Sequence, residues 1–187
     1  MAASKQQADK FLANVITPTL ESIKLWSPAA EELLLGTAIM ESHLTYRRQF
    51  GNGPARGLFQ MEPATHDDIW NNFLKFKPTY AKAVSALLSK ASANKLTELE
   101  INDRYACAMA RMHYRRESEP LPAAGDVQAM AKYWKRHYNT FLGAGDPKDY
   151  VAKWNKTMCA NKRAIDVLPF INPIIDNSRR LHGPRPR

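Results

Sequence analysis

Apolar residues recur along this chain at spacings of three and four, the period of an α-helix rather than the alternation of a half-buried strand. Phe11, Leu12, Val15 and Ile16 form the first stripe, which the spacing ends near Pro18. Ser27 then stands as an N-cap before Pro28, with Glu31 and Glu32 close to the positive end of the helix dipole. These signals predict a helix from Pro28 to about Thr45. Glycines within residues 51–57 break the period, and Pro63 opens a short helix carrying Ile69, Trp70 and Phe73. Two further stripes follow, Tyr80, Val84, Leu87 and Leu88, then Tyr105, Ala108, Met109 and Met112. After a proline-bearing interruption at 119–122, Asp126 caps a helix with Val127, Met130, Ala131, Trp134 and Tyr138 on one face. Residues 141–145 read as a loop. Asp146 and Pro147 start a last helix with Tyr150, Val151, Trp154 and Met158 on its stripe. The expected fold class is all-α, one helical domain over residues 1–166, with at most a small β-hairpin within 49–60.

Beyond residue 166 the period is lost. Pro169, Pro173, Pro184 and Pro186 describe an extended arm, residues 167–187, ending in arginines. Its Phe170, Ile171, Ile174 and Ile175 are too apolar to stay in water, so the arm is expected to dock on the chain's own body or on a neighbouring subunit.

A length of 187 residues allows one substantial core. The net charge of +9 favours a polyanionic partner: nucleic acid, anionic lipid, or a bacterial wall with its carboxylates and phosphates. Arg104, Arg111 and Arg115 share a helical face, and Lys132, Lys135, Arg136 and His137 cluster beside aromatics, but no nucleic-acid-binding motif accompanies them. Nucleic acid is therefore not the expected partner. No stretch approaches the roughly 18 apolar residues of a membrane-spanning helix. The first residues lack a basic region followed by an apolar run, so the chain is expected to be made in the cytoplasm without a secretory signal. Cys107 and Cys159 are expected as buried free thiols. The five histidines show no metal-ligand spacing, and no cofactor is expected.

Glu41 continues the stripe Leu34, Ala38, an unusual place for a carboxylate because burying its charge is costly. Desolvation there raises a carboxyl pKa and keeps its proton near neutral pH, as general-acid cleavage of a glycosidic bond requires. The alternative is a half-exposed residue in the last turn of an ordinary helix.

The surrounding residues favour chemistry. Ile39-Met40-Glu41-Ser42, followed after a loop by Gly57-Leu58-Phe59-Gln60-Met61-Glu62-Pro63-Ala64-Thr65, resembles the signature of soluble lytic transglycosylases and goose-type lysozymes. The resemblance implies a lysozyme-like α domain with Glu41 at the floor of a cleft. It also implies a sugar-binding groove lined by Gln60 and by the backbone of Gly57, Leu58, Phe59, Gln60 and Met61. Gly57 permits a positive φ or close approach of a sugar to the backbone. Gln60 offers a donor and an acceptor to an N-acetyl or hydroxyl group. Ser42 either orients the substrate or acid, or makes a hydrogen bond at the helix end. The family's downstream Tyr-Asn-Ala-Gly segment has its nearest counterpart at Tyr105 to Tyr114, without Asn-Ala-Gly, and Asp149-Tyr150-Val151 looks like the family's Tyr-Val segment. Tyr114 and Tyr150 are thereby candidate substrate contacts.

Between Glu41 and Gly57 there is no Asp or Glu. Hydrolysis by inversion or retention needs a second carboxylate, whereas a lytic transglycosylase works with one. The expected activity is thus lytic transglycosylation of the MurNAc–GlcNAc β-1,4 bond of peptidoglycan glycan strands. Glu62, Asp67 and Asp68 remain candidate bases for hydrolysis, or else form an acidic first turn of the helix opened by Pro63. Arg47, Arg48 and Arg56 flank the loop, where they either meet peptide-stem carboxylates or stay solvated. The missing signal and the docking arm fit a phage tail or virion protein acting in the host periplasm during DNA delivery, with the arm on other tail proteins. A virion structural or adaptor protein on the same scaffold is the alternative.

Overall fold

The computed structural model describes residues 3–159 apart from 50, 52, 90–93 and 140–142. The arm expected at 167–187 lies outside the described residues. Helix α1 (Lys5–Phe11) starts at Ser4, whose Oγ accepts from the Gln7 N–H at 3.1 Å. It passes through a π turn (Leu12–Ile16) straight into α2 (Thr17–Ser22). The first stripe therefore does not end at Pro18, as its spacing predicts. Proline lacks an N–H and its ring crowds the carbonyl four residues back. The wider π turn, closed by the Thr17 N–H on the Leu12 carbonyl, lets the helix continue past it.

Helix α3 (Pro28–Ser42) begins as predicted, with Ser27 Oγ accepting from the Ala30 N–H at 3.1 Å. It stops three residues before Thr45 because His43 and Leu44 both adopt left-handed backbone, φ 53° and 54°. Seven consecutive residues, Leu33 to Ile39, are buried, so α3 runs through the centre of the molecule rather than over its surface. At Gly36 an added Cβ would lie 1.8 Å from the Tyr150 hydroxyl oxygen, so glycine makes room for that ring.

After α3 the chain folds on itself in two isolated antiparallel bridges, Arg48 to Arg56 and Arg56 to Met61. This is the reduced form of the hairpin expected at 49–60. Helix α4 (Pro63–Asn72), a 3-10 turn (Leu74–Phe76), α5 (Pro78–Ser85) and α6 (Lys95–Ile101) lead to the second central helix, α7 (Asp103–Arg115). All ten residues from Tyr105 to Tyr114 in α7 are buried. Helix α8 (Val127–Trp134) extends into a π turn (Lys135–Asn139), and α9 (Pro147–Met158) lies against α3 and α8. Asp126 and Asp146 cap α8 and α9 as predicted, accepting from the Ala129 and Lys148 N–H groups at 2.9 and 2.7 Å. The fold is all-α, and the described residues share one hydrophobic core. Both cysteines are free: Cys107 is buried, whereas Cys159, expected inside, is exposed at the end of α9.

Candidate functional site

The buried stripe Leu34, Ala38 leads Glu41 out of the core and onto the wall of a cleft of about 590 Å³. Glu41, Gln60, Met61, Glu62, Trp134 and Tyr138 are among its lining residues. Glu41 Oε1 accepts a hydrogen bond from the Trp134 indole N–H at 2.9 Å. Trp134 is itself fully buried and tilts against Tyr150, with ring centroids 5.6 Å apart. Gly145 closes over its other edge, where an added Cβ would come within 2.4 Å of the ring.

Burial pushes the Glu41 carboxyl up from 4.5 to about 7, against the Trp134 hydrogen bond and the Lys153 charge, both of which favour the carboxylate. The group is thus poised near neutrality, where one carboxyl can both give and take a proton. Trp134→Phe keeps the ring and removes the N–H, so the Glu41 pKa is expected to rise above 7. Carbon-13 NMR titration of the Glu41 carboxyl reads this directly, and a downward or null shift would contradict it.

Only part of the segment 57–61 reaches the cleft. Gln60 and Met61 line it, but Leu58 and Phe59 are core residues, and Gly57 is buried with them. Apolar burial decides their direction: Phe59 packs 6.1 Å from the Phe11 ring, which anchors the loop to α1. Their carbonyls are also committed, that of Leu58 to the Ser42 hydroxyl at 2.7 Å and that of Phe59 to the Tyr138 hydroxyl at 2.8 Å. Gly57 does take a positive φ, 71°, but the group in close approach is the Leu99 carbonyl of α6, not a ligand. Gln60 holds a left-handed backbone, φ 45°, and its amide Nε2 donates to the Gly57 and Tyr46 carbonyls at 2.7 and 3.3 Å. With both amide hydrogens used, Oε1 is the atom available to accept from a ligand.

Ser42 is buried and does not line the cleft. Its hydroxyl faces the Ala38 carbonyl at 3.0 Å and the Leu58 carbonyl at 2.7 Å, so it ties the end of α3 to the segment 57–61. Ser42→Ala leaves the Leu58 carbonyl without this donor and is expected to cost about 1–3 kcal/mol of unfolding free energy, measured by denaturant titration. A loss below about 0.5 kcal/mol would mean that the hydrogen bond does not hold the segment.

The two candidate tyrosines are also turned inward. Tyr114 donates to Thr37 Oγ at 2.8 Å, since the Thr37 hydrogen is spent on the Leu33 carbonyl. Tyr150 lies under Gly36 with its hydroxyl 3.5 Å from the Leu33 carbonyl. Neither lines the cleft; each fills the tight space between central helices, where a large ring gains most by burial. In their place Trp134, Tyr138 and His113 form the aromatic side of the cleft. Trp134 and Tyr138 stand on a helical stripe and read as core, and His113 is weighed in the sequence only as a metal ligand. The π turn at 135–139 shifts the register at the end of α8, and Tyr138 reaches the cleft there. His113 donates through Nε2 to the His137 carbonyl at 2.7 Å, and burial beside Arg116 lowers its pKa to about 4, so it presents a neutral imidazole.

Of the three candidate bases, Glu62 lies on the cleft wall and the other two do not. Asp67 accepts from the His66 ring at 2.8 Å. Asp68 is held by Asn72 and Arg116, which lower its pKa. Nor do they form an acidic first turn: Glu62 occupies the N-cap position and the aspartates fall in the second turn of α4. Arg47 and Arg48 are engaged by Asp103 and Glu100, and Arg56 by the Gly53 and Ala55 carbonyls. Among the described residues no three His, Cys, Asp or Glu side chains converge as a metal site, and no helix is long and apolar enough to cross a membrane. In comparisons with known proteins, no family model, curated protein or solved structure matches this chain.

Proposed function

We propose that this chain is a peptidoglycan lytic transglycosylase with Glu41 as its single acid and base. The observation that carries the reading is a carboxyl with its pKa near 7, held by an indole N–H on the wall of a cleft that also presents Gln60 Oε1. Protonated Glu41 gives its proton to the glycosidic oxygen as the C1–O bond breaks. The carbonyl oxygen of the substrate's own N-acetyl group stabilises the electron-poor C1. The Glu41 carboxylate then takes the proton of the muramoyl C6 hydroxyl while that oxygen bonds to C1, leaving a 1,6-anhydro end. Trp134 holds Oε1, so the transferable proton is assigned to Oε2. Gln60 Oε1 accepts from a sugar N–H or O–H.

One observation favours a second reading. Glu62 is a carboxylate on the same cleft wall with no hydrogen-bond or ion-pair partner among the described residues, and as a base it would direct water to C1 and make the reaction hydrolytic. Digestion of isolated sacculi followed by mass analysis separates the two, since an anhydro end is one water lighter than a reducing end. No release of fragments by the wild-type chain would sink both. The setting in a phage particle is proposed alongside, and its test is mass spectrometry of purified virions.

A further inference from the structure

Helices α3 and α9 meet beside Glu41. Tyr150 packs against Gly36, and one turn further along each helix the Lys153 ammonium donates to the Met40 carbonyl at 3.1 Å. That carbonyl belongs to the peptide group joining Met40 to Glu41. Tyr150 in turn backs Trp134, whose indole holds Glu41 Oε1. Helix α9 therefore reaches the acid twice, through its backbone and through its side-chain partner. Lys153 is half-buried, and no carboxylate pairs with it among the described residues.

Helix α3 lacks what Lys153 brings. Glu41 stands in its last turn, at the negative end of the helix dipole, and α3 has no basic residue of its own there. His43, the C-cap, does not supply the charge: burial first, and then the Lys153 charge, lower its pKa. The other groups around the cleft acid bring no positive charge either. His113 presents a neutral imidazole, burial keeps Tyr114 and Tyr138 protonated, and Glu62 is an acid. A carboxylate formed here keeps the Trp134 hydrogen bond but has no other described donor, and its burial is costly.

We propose that Lys153 is a positioning residue for Glu41: it fixes the last turn of α3 and supplies the countercharge to the carboxylate left when the acid gives up its proton. The role rests on the transglycosylase reading, in which Glu41 must hold that charge between two proton transfers. The Lys153 charge favours the carboxylate, and a partly buried pair is screened less by salt than a surface one. Removing the charge makes Glu41 a weaker acid.

The test is carbon-13 NMR titration of the Glu41 carboxyl in the full chain, without substrate. Lys153→Gln keeps a donor for the Met40 carbonyl and loses the charge, so the pKa is expected to rise from about 7 by about 0.5 to 1. Lys153→Arg keeps the charge and is expected to stay within about 0.2 of the wild type. In sacculus digestion the alkaline limb of the pH profile should move up with the glutamine variant and not with the arginine one. A lysine that only caps α3 would leave the pKa unmoved in Lys153→Gln, and that result overturns the proposal. An equal rise in Lys153→Arg also overturns it, because the effect would then lie in packing. A rise confined to Lys153→Gln, with no fragments released by the wild type, sinks the transglycosylase reading and leaves the charge coupling standing.

Discussion

Glu41→Gln is expected to abolish release of fragments from sacculi, by roughly 100- to 10,000-fold, while making the protein more stable at alkaline pH. The two effects have one cause. Glutamine keeps the shape and an oxygen for the Trp134 N–H at the position of the 2.9 Å bond, but it has no proton to transfer. It also has no charge to bury. The wild-type carboxyl binds its proton up to about pH 7 in the folded chain, against 4.5 for its ordinary value. Below pH 4.5 the group is protonated in both states and contributes nothing to their difference. As the pH rises from 4.5 to about 7 the unfolded chain releases its proton and the folded chain does not, so stability falls. Above about pH 7 the full penalty is present, about 3 kcal/mol, and Glu41→Gln is spared it. Denaturant titrations of both proteins at pH 4 and pH 8 measure this: the curves should nearly coincide at the lower pH and separate at the higher. Equal stability at pH 8 would show that the carboxyl is not held up by burial. Activity of the wild type should fall above about pH 7, where the general acid has lost its proton.

Gly57→Ala is expected to destabilise the whole fold by disturbing the packing of segment 57–61 against α6. Gly57 has φ 71°, which alanine adopts only under strain, and its new Cβ would lie 1.9 Å from the backbone carbonyl oxygen of Leu99. Unlike the Tyr150 ring beneath Gly36, that carbonyl cannot swing away, because it belongs to helix α6. Strain and overpacking together are expected to cost about 3–5 kcal/mol, read as a lower midpoint in denaturant with the slope unchanged. A loss under about 1 kcal/mol would mean that segment 57–61 and α6 are not rigidly apposed.

Much of the fold was legible because its signals are local. Ser27 with Pro28, Asp126, and Asp146 with Pro147 each start a helix where their side chains satisfy the first free N–H groups. The apolar period placed the helices between. It misread Pro18, where the wider π turn absorbs the proline, since backbone re-registration of that kind leaves no mark on the spacing of side chains. The candidate site divided in the same way. Glu41 was legible as a carboxylate on an apolar stripe, an anomaly within one helix. Its partner Trp134 was not, being ninety-three positions away in sequence and indistinguishable from a core residue on its own stripe.

The sequence by itself determined an all-α fold, four of its helix starts, and the one acid whose position on a buried stripe called for explanation. Those features depend on neighbours within a turn or two, where covalent geometry sets the distances. Only the tertiary structure decided which residues of 57–61 face the cleft, that Tyr114 and Tyr150 are walled into the core, and that the Trp134 indole N–H meets the buried Glu41 carboxyl. It alone left the Arg111 Nε buried without a hydrogen-bond partner. Burial and hydrogen-bond satisfaction depend on every element that arrives at a point in space, and no spacing along a single helix records what the others bring.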